Sequence, residues 1–488
     1  MSEERIEQHV ITKSLLWKIL ERSSTQIINF TIQIFLARLI SPEHFGELAI
    51  ITAIINYASI FVQSGMSTAI IQKENLKYED ISTVTVISLL VALAMYILLY
   101  ILSPFIANAY HMSILGPALR VLGVVLFLHA INSVQIGILT RKMQFNKIFY
   151  RSVISLPISG FIGIFLAYKG YGIWSLIAFN ILNILITCVV MMFGLKIKFS
   201  LKISLKSAKE IYSFGIKIML TSMITGAHDM LRTVFIGKVY SSNDLAFHDK
   251  GMTYSSYITQ IITSSVPNVM LPVFSRSQNN ISEIKNIMSK TMKMMSFFIF
   301  PILFGFAAIS KEFVFIFLTE AWKGAIPFLI TYCILRLPGC LTCIDKQIYL
   351  ALGKSQICLK YEFIICFLNI TLLLLNLFVF PFSNGAIYIT IGAAVVEYIG
   401  FFILSYITKM EIDYSLLDRM NDILKPFISS LLMYISLLLI KNLNINIFMQ
   451  LIVKILFGAI IYITLEIILK DKILYNFINN FKKNHNNL

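Results

Sequence analysis

The sequence predicts an all-α polytopic membrane protein of about fourteen transmembrane helices, and three observations carry that prediction. Of its 488 residues, 57% are hydrophobic and 14% charged, with a mean hydropathy of +0.79; a soluble chain of this length needs a far more polar surface. Apolar runs of about 18 or more residues recur along it, each long enough to cross a hydrocarbon core about 30 Å thick. The connections between them are short, and Lys and Arg crowd into alternate ones. The short alternating segments of a membrane barrel do not occur.

Taken in order, the first six runs fall at 15–39, 46–70, 82–104, 114–138, 152–169 and 172–194. Six more follow at 211–237, 251–274, 292–310, 325–349, 359–380 and 384–408, and two end the series at 424–441 and 446–469. The first is too long for a signal h-region and closes in "LARLISPEHFG" without a small-residue cleavage site, so it is expected to be retained. Pro157, Pro267, Pro272, Pro301 and Pro338 fall inside runs, where membrane helices tolerate them as kinks.

Between the twelfth and thirteenth runs, "KMEIDYSLLDRMNDILK" puts Ile412, Leu416, Met420 and Ile423 on one helical face. That pattern predicts a separate amphipathic helix at 411–424, lying in the headgroup layer.

Cation-rich connections hold Arg141, Lys142 and Lys147, then Lys202 and Lys206, then Arg276, Lys354 and Lys409. The opposite connections hold few cations, and the positive-inside rule then places both termini in the cytoplasm. A basic stretch joins the sixth and seventh runs, and two junctions on either side of it run in parallel: "FLARLISPEHFG" at 35–46 and "FIGKVYSSNDLA" at 235–246. The expected plan is two six-helix lobes in pseudo-two-fold repeat, 1–200 and 201–410, then the interfacial helix. Two additional transmembrane helices occupy 425–470 and a basic cytoplasmic tail 471–488.

The stretch from Leu36 to Leu90 resembles the Wzx-type polysaccharide flippases. These are lipid-linked oligosaccharide exporters of the multidrug/oligosaccharidyl-lipid/polysaccharide superfamily. Leu36, Ala37, Arg38, Leu39, Ser41, Pro42, Phe45 and Gly46 carry the most specific motif, followed by Gly65, Ala69, Ile71 and Gln72. Weaker likeness continues in 119–145, in "GYGIWSLIA" and in Asp229, Ile236, Gly237 and Lys238, and the whole covers about residues 12 to 410. Where the family pattern continues Asp-Asn, this chain has Asp229-Met230, with Arg232 three residues on.

The resemblance implies two helical lobes around a central cavity and transport driven by a proton or sodium ion. It implies as substrate a polyprenyl-pyrophosphate-linked oligosaccharide. That lipid would be turned from the cytoplasmic to the periplasmic leaflet of the bacterial inner membrane by alternating access. The product would serve O-antigen, capsule or exopolysaccharide synthesis, with membrane lipids and a polysaccharide polymerase machinery as neighbours.

Charges inside the spans mark the candidate site, since each costs about 2.5–3.5 kcal/mol at the bilayer centre on insertion scales. The cations are Arg120, Lys217, Arg232, Arg336 and Lys454. Lys217 is near enough to the inner edge to snorkel. Arg120, Arg232 and Arg336 are the expected ligands of the substrate phosphates, because guanidinium offers a permanent planar fork.

His228, Asp229 and Arg232 share one helical face through i, i+3 and i, i+4 spacing. They form either a static internal ion pair or a coupling device in which substrate phosphate competes with Asp229. Glu397, midway along the twelfth run, is the other coupling candidate.

Other function classes fit poorly. The net charge of +16 is accounted for by inner loops, and no soluble basic domain exists to hold nucleic acid. "LGKSQ" lacks the first glycine of a P-loop. Cys340 and Cys343 form a CxxC without a second pair, so no metal site or cofactor is expected. A polysaccharide polymerase or ligase would need a large outer loop. The nearer rival is a cation-coupled multidrug exporter of the same superfamily, and a scaffold without transport is a third.

Overall fold

The structure, a computed structural model, describes residues 3–63, 65–72, 76–195, 204–378, 385–440, 445–471 and 473–474. Among them the regular structure is helical throughout, and eleven stretches are long and apolar enough to cross a membrane. The expected basic loop and tail fall mostly outside the described residues, as does the side chain of Lys217.

The chain divides into two compact units, Met1–Ala246 and Phe247–Leu488. In the first, α1 (Glu3–Leu39) is followed by α2 (Pro42–Gln63), α3 (Met66–Gln72), α4 (Tyr78–Tyr110), α5 (Leu115–Gly123) and α6 (Val125–Arg141). Then come α7 (Phe145–Tyr168), α8 (Ile173–Leu195) and α9 (Leu205–Val239). The sequence placed the boundary at 200/201, but α9 packs with the first unit.

The reason is a row of glycines. Gly215, Gly226 and Gly237 recur every eleven residues, about three turns, so they line one face. A Cβ on Gly226 would stand 2.9 Å from Ile60 Cδ1, and one on Gly237 would stand 3.0 Å from Ile50 Cδ1. A Cβ on Gly65 would meet the Gly215 carbonyl oxygen at 2.8 Å. Gly65 also has φ 68°, a turn that glycine makes without strain between α2 and α3.

The two parallel junctions meet in this unit. Any side chain on Gly46 would collide with the Ser242 carbonyl group.

The second unit takes up most of α10 (Ser242–Arg276), which crosses the boundary, and then α11 (Ile281–Ala308) and the short α12 (Ser310–Phe313). After these come α13 (Ala325–Ala351), α14 (Ser355–Phe378), α15 (Ile387–Ile412), α16 (Leu416–Leu439) and α17 (Ile447–Ile468). Its core is Met- and Phe-rich, built around Phe274, Met288, Met292, Phe300, Leu303, Leu341 and Ile344.

A proline inside a helix leaves a carbonyl without its amide partner four residues on, and at three of the internal prolines a side-chain hydroxyl takes that carbonyl. Tyr398 donates to the Ile334 carbonyl at 3.2 Å opposite Pro338, and Tyr462 donates to Phe297 at 2.7 Å opposite Pro301. Ser103 donates to Tyr100 at 2.8 Å opposite Pro104.

The stretch 411–424 does not form a separate helix in the headgroup layer. It is the end of α15, a turn at Asp413, and the first part of a continuous α16 that begins on a Ser415–Asp418 capping box. Arg419, off the apolar stripe of this stretch, is fully buried.

Candidate functional site

His228, Asp229 and Arg232 lie on α9, about 200–300° round the helix from the Gly226 face that packs on α2. Asp229 Oδ1 stands 3.4 Å from Arg232 Nη1 and 3.3 Å from His228 Nδ1. Asp229 and Arg232 stand together at i, i+3 spacing, and His228 Nδ1 lies beside the same carboxylate oxygen without a hydrogen bond among the described residues. Burial is uneven: the Arg232 side chain is 7% exposed and that of Asp229 55%. Both distances exceed a close charge-assisted bond of about 2.7–2.9 Å.

Arg336 lies eleven residues into α13, about 16 Å from its start and thus near mid-span. Its Nη2 donates to the Met252 carbonyl of α10 at 3.3 Å, while its Nε is buried with no hydrogen-bond partner among the described residues. No carboxylate forms an ion pair with it among those residues. Glu397, half-buried on α15, precedes Tyr398, whose hydroxyl crosses to the Ile334 carbonyl two residues from Arg336. That bond joins α13 and α15.

Arg120 does not join the α9 group. Its Nε donates to Ser103 Oγ at 2.7 Å and its guanidinium carbon lies 4.5 Å from the Tyr100 ring centroid, both on α4. Lys454 is neutralised on the spot: its Nζ donates to Glu312 Oε1 at 2.6 Å, and both side chains are buried.

Sequence reasoning missed a third charged group. Arg419 on α16 makes a two-pronged pair with Asp345 on α13, Nη2 to Oδ1 at 2.6 Å and Nη1 to Oδ2 at 2.9 Å. Thr408 of α15 donates to the same carboxylate at 2.7 Å, and the hydroxyls of Tyr349 and Thr408 bond each other at 2.6 Å. Beside this group Tyr414 donates to Asp422 at 2.7 Å, and Lys293 reaches Asp422 at 3.0 Å. Burial, and then the bond to Asp422, raise the Tyr414 hydroxyl above the usual phenol range. A carboxylate so fully bonded to a buried guanidinium is a brace between helices, with nothing left to offer a ligand.

The architecture is a polytopic helical fold that solved transporters share. It overlays on the lipid II flippase MurJ in an inward closed conformation with a TM-score of 0.77 at 18% identity, covering 94% of this chain and 99% of that one. An inward-facing multidrug resistance MATE family transporter of the MOP superfamily gives 0.63 at 15% identity, over 80% and 94%.

Within that fold the chain belongs to the polysaccharide biosynthesis protein family, whose model matches residues 35–327. It is 24% identical over 328 residues to the succinoglycan biosynthesis transport protein ExoT of Rhizobium meliloti, spanning 65% of each chain. It is 22% identical over 382 residues to the lipopolysaccharide biosynthesis protein WzxC of Escherichia coli, 77% of this chain and 76% of that one. The teichuronic acid biosynthesis protein TuaB of Bacillus subtilis is 22% identical over 379 residues, 76% and 77%.

Proposed function

We propose that the protein is an inner-membrane flippase that carries a polyprenyl-pyrophosphate-linked oligosaccharide from the cytoplasmic to the periplasmic leaflet by alternating access. It makes and breaks no covalent bond. The observation that carries this reading is Arg336: a permanent cation near mid-span, tethered by one carbonyl and paired with no acid among the described residues. Such a group is costly unless an anion visits it, and a pyrophosphate is an anion that its fork can grip. A cationic drug would be repelled there.

Arg232 is the corresponding group in the first unit. A substrate phosphate would compete with the exposed Asp229 carboxylate for its guanidinium. Asp229, His228 and Glu397 are the carriers of the coupling proton or sodium ion, because neutralising any of them alters the field at the neighbouring guanidinium. Both termini lie in the cytoplasm, and the product feeds surface polysaccharide assembly.

The test follows lipid-linked sugar in cells deleted for their own copy of the gene, with sugar on the outer leaflet probed in intact spheroplasts. Restoring the protein should move sugar outward. Arg336→Leu should cut that movement by about tenfold or more, the scale of one lost charge-assisted bond, with Arg336→Lys between the two. Unchanged sidedness, together with a rise in sensitivity to cationic drugs on deletion, would replace the flippase by a multidrug exporter.

A further inference from the structure

Arg120 lies five residues into α5, about 7.5 Å from the helix start and so near the α4–α5 end of its span. Its guanidinium is fixed on one edge and one face. Nε donates to the fully buried Ser103 hydroxyl, which itself donates to the Tyr100 carbonyl that Pro104 leaves open. The Tyr100 ring lies against the guanidinium at 4.5 Å, a cation–π contact that holds the plane. The remaining edge, with its Nη groups, makes no ion pair or hydrogen bond among the described residues.

The exposed residues near Arg120 in sequence and on α4 are apolar or aromatic. One turn either side of Arg120 on α5, Pro117 and Val124 are exposed, as is Val121 at 41%. On α4 Tyr100 is 48% exposed and Phe105 67%. In a membrane-spanning chain such residues meet acyl chains, and a bare guanidinium there needs an anion that comes with the lipid.

We propose that Arg120 binds the phosphate of an anionic membrane phospholipid, with Tyr100, Val121 and Val124 against its acyl chains. A sugar-bearing lipid would press hydroxyls against these side chains, whereas a small headgroup such as glycerol phosphate leaves them in the interface. The leaflet is the one at the α4–α5 turn, which is the outer leaflet under the orientation proposed above.

The experiment titrates phosphatidylglycerol, phosphatidylcholine or polyprenyl phosphate into the full-length chain in detergent and counts retained lipid by native mass spectrometry. It reads binding and no flipping, so it succeeds or fails independently of the transport assay. Phosphatidylglycerol should occupy one tight site. Arg120→Leu should weaken it about tenfold or more, and Arg120→Lys and Ser103→Ala, which keep the charge, several-fold. Equal retention by Arg120→Leu, or equal binding of phosphatidylcholine, overturns the proposal. Tighter binding of polyprenyl phosphate than phosphatidylglycerol overturns it too, and assigns Arg120 to the transported lipid. If the leucine variant does not fold, undiminished phosphatidylglycerol binding by both charge-keeping variants is the overturning result.

Discussion

A carbonyl freed by proline inside a hydrocarbon slab has no water to turn to, and this chain answers with a hydroxyl from a neighbouring residue or helix. Tyr398 and Tyr462 supply the longest reaches, from α15 to α13 and from α17 to α11. Each tyrosine ring would fill its place equally well as phenylalanine, so the hydroxyl alone is at issue. Tyr398→Phe and Tyr462→Phe should each destabilise the folded chain by about 1–3 kcal/mol, nearer the low end if membrane averages apply. Thermal unfolding in detergent measures this, with Tyr434→Phe as reference because that hydroxyl makes no hydrogen bond among the described residues. Equal midpoints for all three variants would show that the orphaned carbonyls find other donors.

Among the elements, α16 shows how far a one-dimensional pattern reaches. The spacing of Ile412, Leu416, Met420 and Ile423 is a true apolar stripe, but it does not say whether the opposite face meets water or protein. Arg419 is buried because Asp345, 74 residues earlier, waits on α13. Removing either partner leaves an uncompensated charge, so Asp345→Asn or Arg419→Met should cost about 3–5 kcal/mol. Replacing both, as Asp345→Leu with Arg419→Met, should recover most of that in the same unfolding experiment. A double variant as unstable as the singles would mean that Thr408 and Tyr349 depend on the carboxylate as much as Arg419 does.

The same limit explains the rest of the site. His228, Asp229 and Arg232 were legible because their contact is made within one helix, where spacing fixes geometry. Which of Arg120, Arg336 and Lys454 stays unpaired depended on Glu312, Ser103 and Met252, all on other helices. The helical class and most spans were legible from hydropathy alone, whereas the placement of α9 depended on which face its glycines turned to α2.

For the molecule as a whole the open physical quantity is orientation, and the helices make it testable. Successive spans bring their connections out at alternate ends. In the first unit Arg141, Lys142 and Lys147 close or open spans at the end opposite Lys169 and Lys238, and in the second Arg276, Lys354 and Lys409 do so at the end opposite Lys323. Lys and Arg near span ends are retained on the cytoplasmic side, so under the orientation proposed above Arg141 and Arg276 stand at inner ends. The native cysteines carry free thiols within helices, four buried and two half-buried, so the unsubstituted protein sets the labelling background. Asn243, exposed in the first turn of α10, and Asn279, exposed in the turn after it, lie at opposite ends of that 35-residue helix, about 50 Å apart by its rise. With a membrane-impermeant maleimide on spheroplasts, Asn243→Cys should label at once, and Asn279→Cys only after permeabilisation. The reverse pattern would invert the protein, and with it the direction in which Arg232 and Arg336 pass an anionic headgroup.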